Sequence, residues 1–387
     1  MAQITANLDP LAVYLHWPYC ARICPYCDFN VHLDKRADEG DRLVAAMVTD
    51  LAYWRDWTGP REISSIHFGG GTPSLLSREQ LITLMDAVRS LWGEGPGEGL
   101  GEVALEANPN DVTPDREKSW VEAGLTRLSL GVQSFDDSVL KTLGRDHDGA
   151  SARRSLEMAV GAFQSVSADL IFGVQGEAED RLQRDLDTML ELGVPHLSTY
   201  QLTIEPGTAF AKAEARGAQK AVDEDQSAQD FELIRGTLVA AGYRHYEVSN
   251  FAKPGQKSAH NLAYWRGRDY VGVGPGAHGR LWTESGRVAT ETTLRPADYI
   301  AAVQSHGTAI TMRETLGPEE AAQEYVMMGL RIDDGLSLSR LTALRGEALS
   351  IDPALIEDGL LRVEGDRLAA TDQGRMVLDA LTRALLL

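Results

Sequence analysis

The sequence predicts an α/β fold, a partial (β/α)6 barrel of the TIM type with a small winged-helix-like α+β domain at the C-terminus. Three observations predict it. From Leu11 to about Thr203, short apolar runs alternate with amphipathic helical stretches, with no antiparallel hairpin between them. Polar, glycine-rich loops recur just after the strands, on the face where such barrels work. Past roughly Ile310 the pattern changes to an amphipathic helix, a hairpin and a final helix. The expected division is therefore a barrel with its cysteine loop over 1–205, a barrel-completing or linking region over 206–305, and a C-terminal domain over 306–387.

Each element has its own signal. LAVYLHW (Leu11–Trp17) reads as the first strand, and the cysteine loop follows its C-terminal end. Leu43, Ala46, Met47, Leu51 and Trp54 at helical spacing predict a helix near Asp38–Trp57. EISSIHF (Glu62–Phe68) is the second strand and ends in GGGTPS. Ser77 then starts a helix, with Gln80 placed to complete a capping box. GEVALEAN is the third strand, and Thr113-Pro114 supplies an N-cap and first helical residue for a helix to Ala123. TRLSLGVQS, SADLIFGV and HLSTYQLT give strands four to six, with helices around Val139, Ala150–Phe163 and Glu179–Leu192. The tract Gly93–Gly101 reads as a solvated loop. A helix at about Asp223–Ala241 precedes the glycine-rich GVGPGAHG (Gly272–Gly279). In the C-terminal part, PEEAAQEYVMMGLR is an amphipathic helix and GLLRVEGDRLAATDQGRMVLDALTRALL a wing and final helix.

Charge narrows the function classes. Lys and Arg total 37 against 57 Asp and Glu, a net charge of −20. Such a surface repels backbone phosphates and anionic lipid, so neither nucleic acid nor a polybasic membrane contact is expected. The wing is accordingly read as a packing or partner surface. MAQITANLDP has no signal-peptide pattern, and no apolar run is long enough to span a membrane. Three thiols close together suit a reducing compartment. The expectation is a cytoplasmic protein, peripheral to a membrane only through a partner.

All three cysteines of the 387 residues fall in one window, Cys20, Cys24 and Cys27, spaced C-x3-C-x2-C. The segment, which follows the first strand, is read as a loop that wraps a metal. The residues alone leave three readings open: an iron–sulfur cluster, a zinc site completed by His16 or His32, or three ordinary thiols. A structural site normally closes with four ligands. A cubane cluster with three cysteines keeps one iron open for chemistry.

The neighbouring residues carry a resemblance. YLHWPYCARICPYCDFN resembles the cluster loop of radical S-adenosylmethionine (SAM) enzymes, in the branch that holds coproporphyrinogen III dehydrogenases (HemN) and heme chaperones (HemW). The likeness continues through HFGGGTPS, LEANPND, RLSLGVQSF, LGRDH, DLIFG, YQLTIEPGT and HNLAYW, so it spans Leu11 to about Leu386. It implies a 4Fe–4S cluster on Cys20, Cys24 and Cys27, with SAM chelating the open iron. One electron from the reduced cluster then cleaves SAM to a 5′-deoxyadenosyl radical. It further implies SAM or cluster contacts at Tyr14, Tyr26, Gly70, Gly71, Thr72, Glu106, Gln133, Arg145 and Asp169. On the residues alone, the glycines read equally as a tight strand-to-helix turn, Glu106 as a solvated rim residue, and both tyrosines as core or rim aromatics. One departure is plain: the family's G-L-P-x-Q loop is here Gly173-Val174-Gln175-Gly176-Glu177. A differently shaped pocket wall is expected there.

Two features point within the branch. Phe29 stands where the dehydrogenases typically carry a further Cys, and the motif begins only twenty residues in. His260-Asn261-Leu262-Ala263-Tyr264-Trp265 matches an H-N-x-x-Y-W motif proposed to serve heme. The resemblance thus implies His260, Tyr264 and Trp265 as heme contacts, with His278 as a second candidate; the bland reading is a buried loop His beside core aromatics. It implies a heme chaperone with heme as cargo, heme-requiring respiratory proteins as acceptors and an electron donor for the cluster. The alternative is an enzyme that oxidatively decarboxylates coproporphyrinogen III to protoporphyrinogen IX.

Overall fold

A computed structural model describes residues 9–33, 38–93 and 101–386. Most of the N-terminal MAQITANLDP segment and most of the Gly93–Gly101 tract lie outside these residues. The strands β1 (Leu11–Trp17), β2 (Ile63–Gly70), β3 (Glu102–Ala107), β4 (Arg127–Gln133), β5 (Ser165–Phe172) and β6 (His196–Gln201) lie side by side and parallel. Between them run α1 (Glu39–Thr58), α2 (Arg78–Trp92), α3 (Pro114–Ala123), α4 (Gly149–Ala162) and α5 (Arg181–Glu191). The two-residue period of a strand divides its side chains between two faces. Leu11, Val13, Leu15 and Trp17 join the core formed with the helices, including Leu43, Met47, Leu51 and Trp54. Tyr14 and His16 fall on the opposite, concave face, where the site is built. The local signals hold: Ser77 and Gln80 form a reciprocal capping box, and Thr113 caps α3 ahead of Pro114.

Residues from about 206 to 305 extend the sheet at both edges. After α6 (Glu224–Ala240), β7 (Arg244–Glu247) and β8 (Asn250–Ala252) add antiparallel strands beyond β6. The short helix α7 (Ala259–Trp265) leads to β9 (Tyr270–Val273), which pairs parallel with β1 on its free side. Antiparallel β10 (His278–Thr283), β11 (Gly286–Thr292) and, after α8 (Pro296–His306), β12 (Ile310–Thr315) complete a twelve-stranded sheet. The change of character near Ile310 is thus not the end of the large sheet, because β12 still pairs with β11.

Beyond Thr315, α9 (Pro318–Gly329), β13 (Leu336–Ser337), α10 (Leu338–Arg345), the hairpin β14 (Leu361–Glu364) and β15 (Arg367–Ala370), and α11 (Leu378–Leu386) surround a separate core. Val326, Leu330, Leu341, Leu361, Leu368 and Leu381 build it. Ion pairs tie this unit to the large sheet: Arg331 to the buried Glu247 at 2.8 Å, Lys257 to Asp333 at 2.8 Å, and Arg266 to Asp334.

Candidate functional site

A cavity of about 370 Å³ opens at the C-terminal ends of the parallel strands. Cys20, Cys24, Cys27 and Tyr26 line one side; Gly70, Gly71, Thr72, Glu106, Gln133, Arg145 and Asp169 line the others. Eleven of the twelve residues expected around cluster and SAM therefore meet in one place. Tyr14 does not line it: its hydroxyl lies 3.0 Å from His16 Nδ1, one layer deeper.

The cysteine loop is stapled at its base. Tyr19–Cys20 pairs with His32–Leu33, and the His32 amide donates to Pro18 O at 2.7 Å. The glycine run lies flush against this base. Gly71 and Thr72 donate to Trp17 O (2.7 Å) and Tyr19 O (2.9 Å), and a Cβ on Gly71 would sit 2.8 Å from Tyr19 O. Gly70, at φ +109°, has the His16 ring 2.5 Å from where its Cβ would lie. These glycines are demanded first by their neighbours in the chain, and the cavity wall they form follows from that.

Charged groups are placed by partners deeper in the sheet. Glu106 accepts the Gly70 amide on Oε2 (3.1 Å) and His67 Nε2 on Oε1 (3.0 Å). Arg145 donates through Nη2 to Asn108 Oδ1 (2.6 Å) and Gly131 O (3.0 Å), which sets Nη1 3.4 Å from Cys24 Sγ. Its Nε is buried without a partner. Burial, with the nearby Glu106 charge adding to it, pushes the Asp169 carboxyl up to about 7. Gln133 is the one non-glycine at positive φ among the described residues, at +67°. The turn after it is fixed by Asp185, which accepts from Ser134 Oγ (2.7 Å) and Phe135 N (2.9 Å) and is itself paired with the buried Arg181.

The loop that departs from the family pattern turns away from the cavity. Gly173 and Gly176 adopt positive φ, Val174 bridges to Ala221, and Glu177 pairs with Arg181. No residue from Gly173 to Glu177 lines the cavity. The wall next to this loop is formed by Ile171, within the DLIFG stretch that precedes it.

None of His260, Tyr264, Trp265 and His278 lines this cavity. His260 lies in the sheet's interior, 1% exposed, with Nδ1 3.0 Å from Ser65 Oγ and Nε2 2.7 Å from Tyr264 Oη. Both ring nitrogens therefore have partners within the protein, and the imidazole lies away from the cavity. Trp265 packs beside the Tyr246, Leu262 and Ile332 cluster, under the Arg331 guanidinium. His278 is exposed, its Nδ1 3.5 Å from Glu291 Oε1. His67, within HFGGGTPS, carries no signal of its role in the sequence. Asn108, just after the end of β3, and Ser198, within β6, orient Arg145 and Asp169 and carry no signal of it in the sequence.

Comparison with known proteins decides the family. The Radical SAM superfamily model matches residues 14–189, and the HemN C-terminal domain model matches 316–377. The heme chaperone HemW of Mycobacterium tuberculosis is 38% identical, the match covering 98% of this chain and 95% of that protein. HemW of Escherichia coli is 36% identical, with 98% and 99% covered. The chain belongs to the HemW family. A mitochondrial relative from Bos taurus, radical S-adenosyl methionine domain-containing protein 1, is 36% identical over 97% of this chain and 87% of its own. Among solved structures, coproporphyrinogen III oxidase (HemN) from Escherichia coli superposes with a TM-score of 0.82 at 22% identity, covering 98% and 90% of the two chains. That likeness establishes the shared α/β fold with its C-terminal domain.

A radical SAM family member carries a 4Fe–4S cluster and SAM, and this HemW-family site fits both. Zinc at about 2.3 Å from each sulfur needs its ligands within roughly 4 Å of one another. Among the described residues, no three His, Cys, Asp or Glu converge closely enough for a single ion. His16 is not available either, since its nitrogens face Tyr14 Oη and Asn30 O, each at 3.0 Å. Burial pushes the Cys20 thiol up and that of Cys27 to about 11, so as free thiols both stay protonated at neutral pH. A bound cationic centre would convert Cys20 and Cys27 to thiolates.

Proposed function

We propose that this chain is a radical-SAM-type heme chaperone. It holds a 4Fe–4S cluster on Cys20, Cys24 and Cys27, binds SAM and heme, and passes heme to heme-requiring respiratory proteins. The observation that carries the reading is the cavity lined on one side by three thiols, in a chain whose nearly full-length relatives are named heme chaperones. With the cluster bound, such a site supplies one-electron cleavage of SAM.

The chain's own groups do the rest. Gly70, Gly71 and Thr72 leave room beside the cluster loop. Glu106, Gln133 and Asp169 offer oxygens to the ammonium and ribose of SAM, and Arg145 offers positive charge to its carboxylate and to the Cys24 sulfur. Heme is cargo, met at the surface, where His278 is the accessible imidazole. SAM acts as a structural ligand or trigger. The protein works in the cytoplasm, reaches a membrane only through its acceptor, and takes its electron from a separate donor. No described helix is long and apolar enough to cross a membrane.

The test is heme transfer. Cluster-reconstituted protein loaded with one equivalent of heme is mixed with a heme-free respiratory acceptor, and the acceptor's spectrum is followed. Restored acceptor absorbance, lost in H278A, supports the chaperone; absence of any heme binding removes it. The second reading, decarboxylation of coproporphyrinogen III, is favoured by the shared fold with HemN. Phe29 in place of a further Cys speaks against it.

A further inference from the structure

Beneath the cavity floor lies a stack of rings, none of which lines the cavity. The rings of His67 and His260 are parallel within 12° at 4.5 Å, and Tyr14 stacks beside both, at 6.1 and 6.0 Å. His67 is confined from both sides. Below it is His260; above it, a Cβ on Gly69 would lie 3.1 Å from His67 Cδ2 and 2.8 Å from Tyr14 Cε2, so glycine there relieves the crowding of the stack. A carboxylate accepts and never donates, so the 3.0 Å contact from His67 Nε2 to Glu106 Oε1 requires the proton on Nε2.

His260 is in turn locked. Ser65 and Tyr264 hold its nitrogens, and Glu102 Oε1 accepts its amide at 3.1 Å. Glu102 is paired with Arg127 at 2.6 Å, and that guanidinium also holds the carbonyls of Gln256 and Lys257. The segment carrying the H-N-x-x-Y-W motif is therefore fastened into the interior of the sheet, with its histidine face pressed against His67.

We infer that His260 and His67 are positioning residues for SAM: His260 fixes the plane of His67, and His67 fixes the carboxylate of Glu106 toward the ligand. The inference rests on the reading of Glu106 as a SAM contact and assigns the motif's histidine to SAM rather than to heme. Its logic is geometric. Removing His260 opens a void under His67, the ring tilts, and Glu106 loses the donor that aims Oε1 while keeping the Gly70 amide on Oε2.

The experiment uses full-length, cluster-reconstituted protein. SAM affinity is read from the change in the electron paramagnetic resonance spectrum of the reduced cluster, and heme stoichiometry from absorbance, in the same samples. H67A and H260A should each weaken SAM binding about tenfold, the scale of a lost charge-assisted hydrogen bond, with heme stoichiometry unchanged. H67Q, which keeps a donor near the Nε2 position, should stay within about threefold of wild type. The double variant should lose no more than either single one, as for two residues acting in series. Wild-type SAM affinity in H67A and H260A overturns the inference, as does an H260A that loses heme and keeps SAM. Should H260A fail to fold, the H67A and H67Q pair decides alone. A wild-type cluster that does not respond to SAM would sink the parent reading, and this inference with it.

Discussion

Gln133 occupies a backbone region that side chains avoid, at φ +67°, at a cost of roughly 1–3 kcal/mol. The Ser134–Asp185–Arg181 network holds the turn there, which places the Gln133 side chain over the cavity. Q133G should therefore raise the melting temperature of the apo protein by about 2 °C while weakening SAM binding. A loss of stability would show that the strain is absent. Asp169 gives a pH signature. Its carboxyl, raised to about 7 by burial and the Glu106 charge, is largely protonated at pH 6 and ionised at pH 8. Cationic SAM binds the ionised form better, so its affinity should rise through that interval. D169N should flatten the rise, and an unchanged slope in D169N would assign it elsewhere. At this scale the sequence was informative wherever motifs are contiguous, as at Cys20–Cys27 and Gly70–Thr72. It was silent on His67 and Asn108, whose roles come from partners 39 and 37 residues away.

Helix α7 shows how an element's role can be hidden in its motif. Read alone, H-N-x-x-Y-W offers a histidine and two aromatics to a macrocycle. In the fold, Ser258 caps the helix, Glu102 receives the His260 amide, and Arg127 closes over the preceding carbonyls. The Arg127 and Glu102 side chains are only 5% and 11% exposed. R127M should leave that carboxylate buried and unpaired, costing about 3–5 kcal/mol, and should loosen α7 as well. Hydrogen exchange would find faster amides over 256–265; unchanged protection would mean that the pair does not hold the helix. The parallel core was legible because its helices carry capping signals and regular apolar spacing. Strands β7–β12 were not: β7, β8 and β9 have only four, three and four residues, and β9, β10 and β11 overlap glycine-containing stretches that also read as loop.

Across the whole molecule, the C-terminal unit and the large sheet meet at a titratable contact. His245, stacked on Phe251 at 4.4 Å, has Nδ1 3.4 Å from Arg375 Nη2, and burial together with that guanidinium lowers its pKa to about 4. The sign follows directly. The unfolded chain, with an ordinary histidine, binds more protons between about 4 and 6.5, so stability present above that window is lost as pH falls through it. Acidification from about pH 7 to pH 5 should lower the melting temperature, and H245F, which keeps the stack, should blunt the slope. An identical slope in H245F would place the titration at another buried histidine.

The chaperone claim meets its most direct test in one anaerobic experiment. Cluster-reconstituted protein is given SAM, reductant and coproporphyrinogen III in one reaction and heme in a parallel one. The account predicts stoichiometric heme binding and no loss of coproporphyrinogen III. Catalytic decarboxylation would contradict it and make the dehydrogenase reading correct.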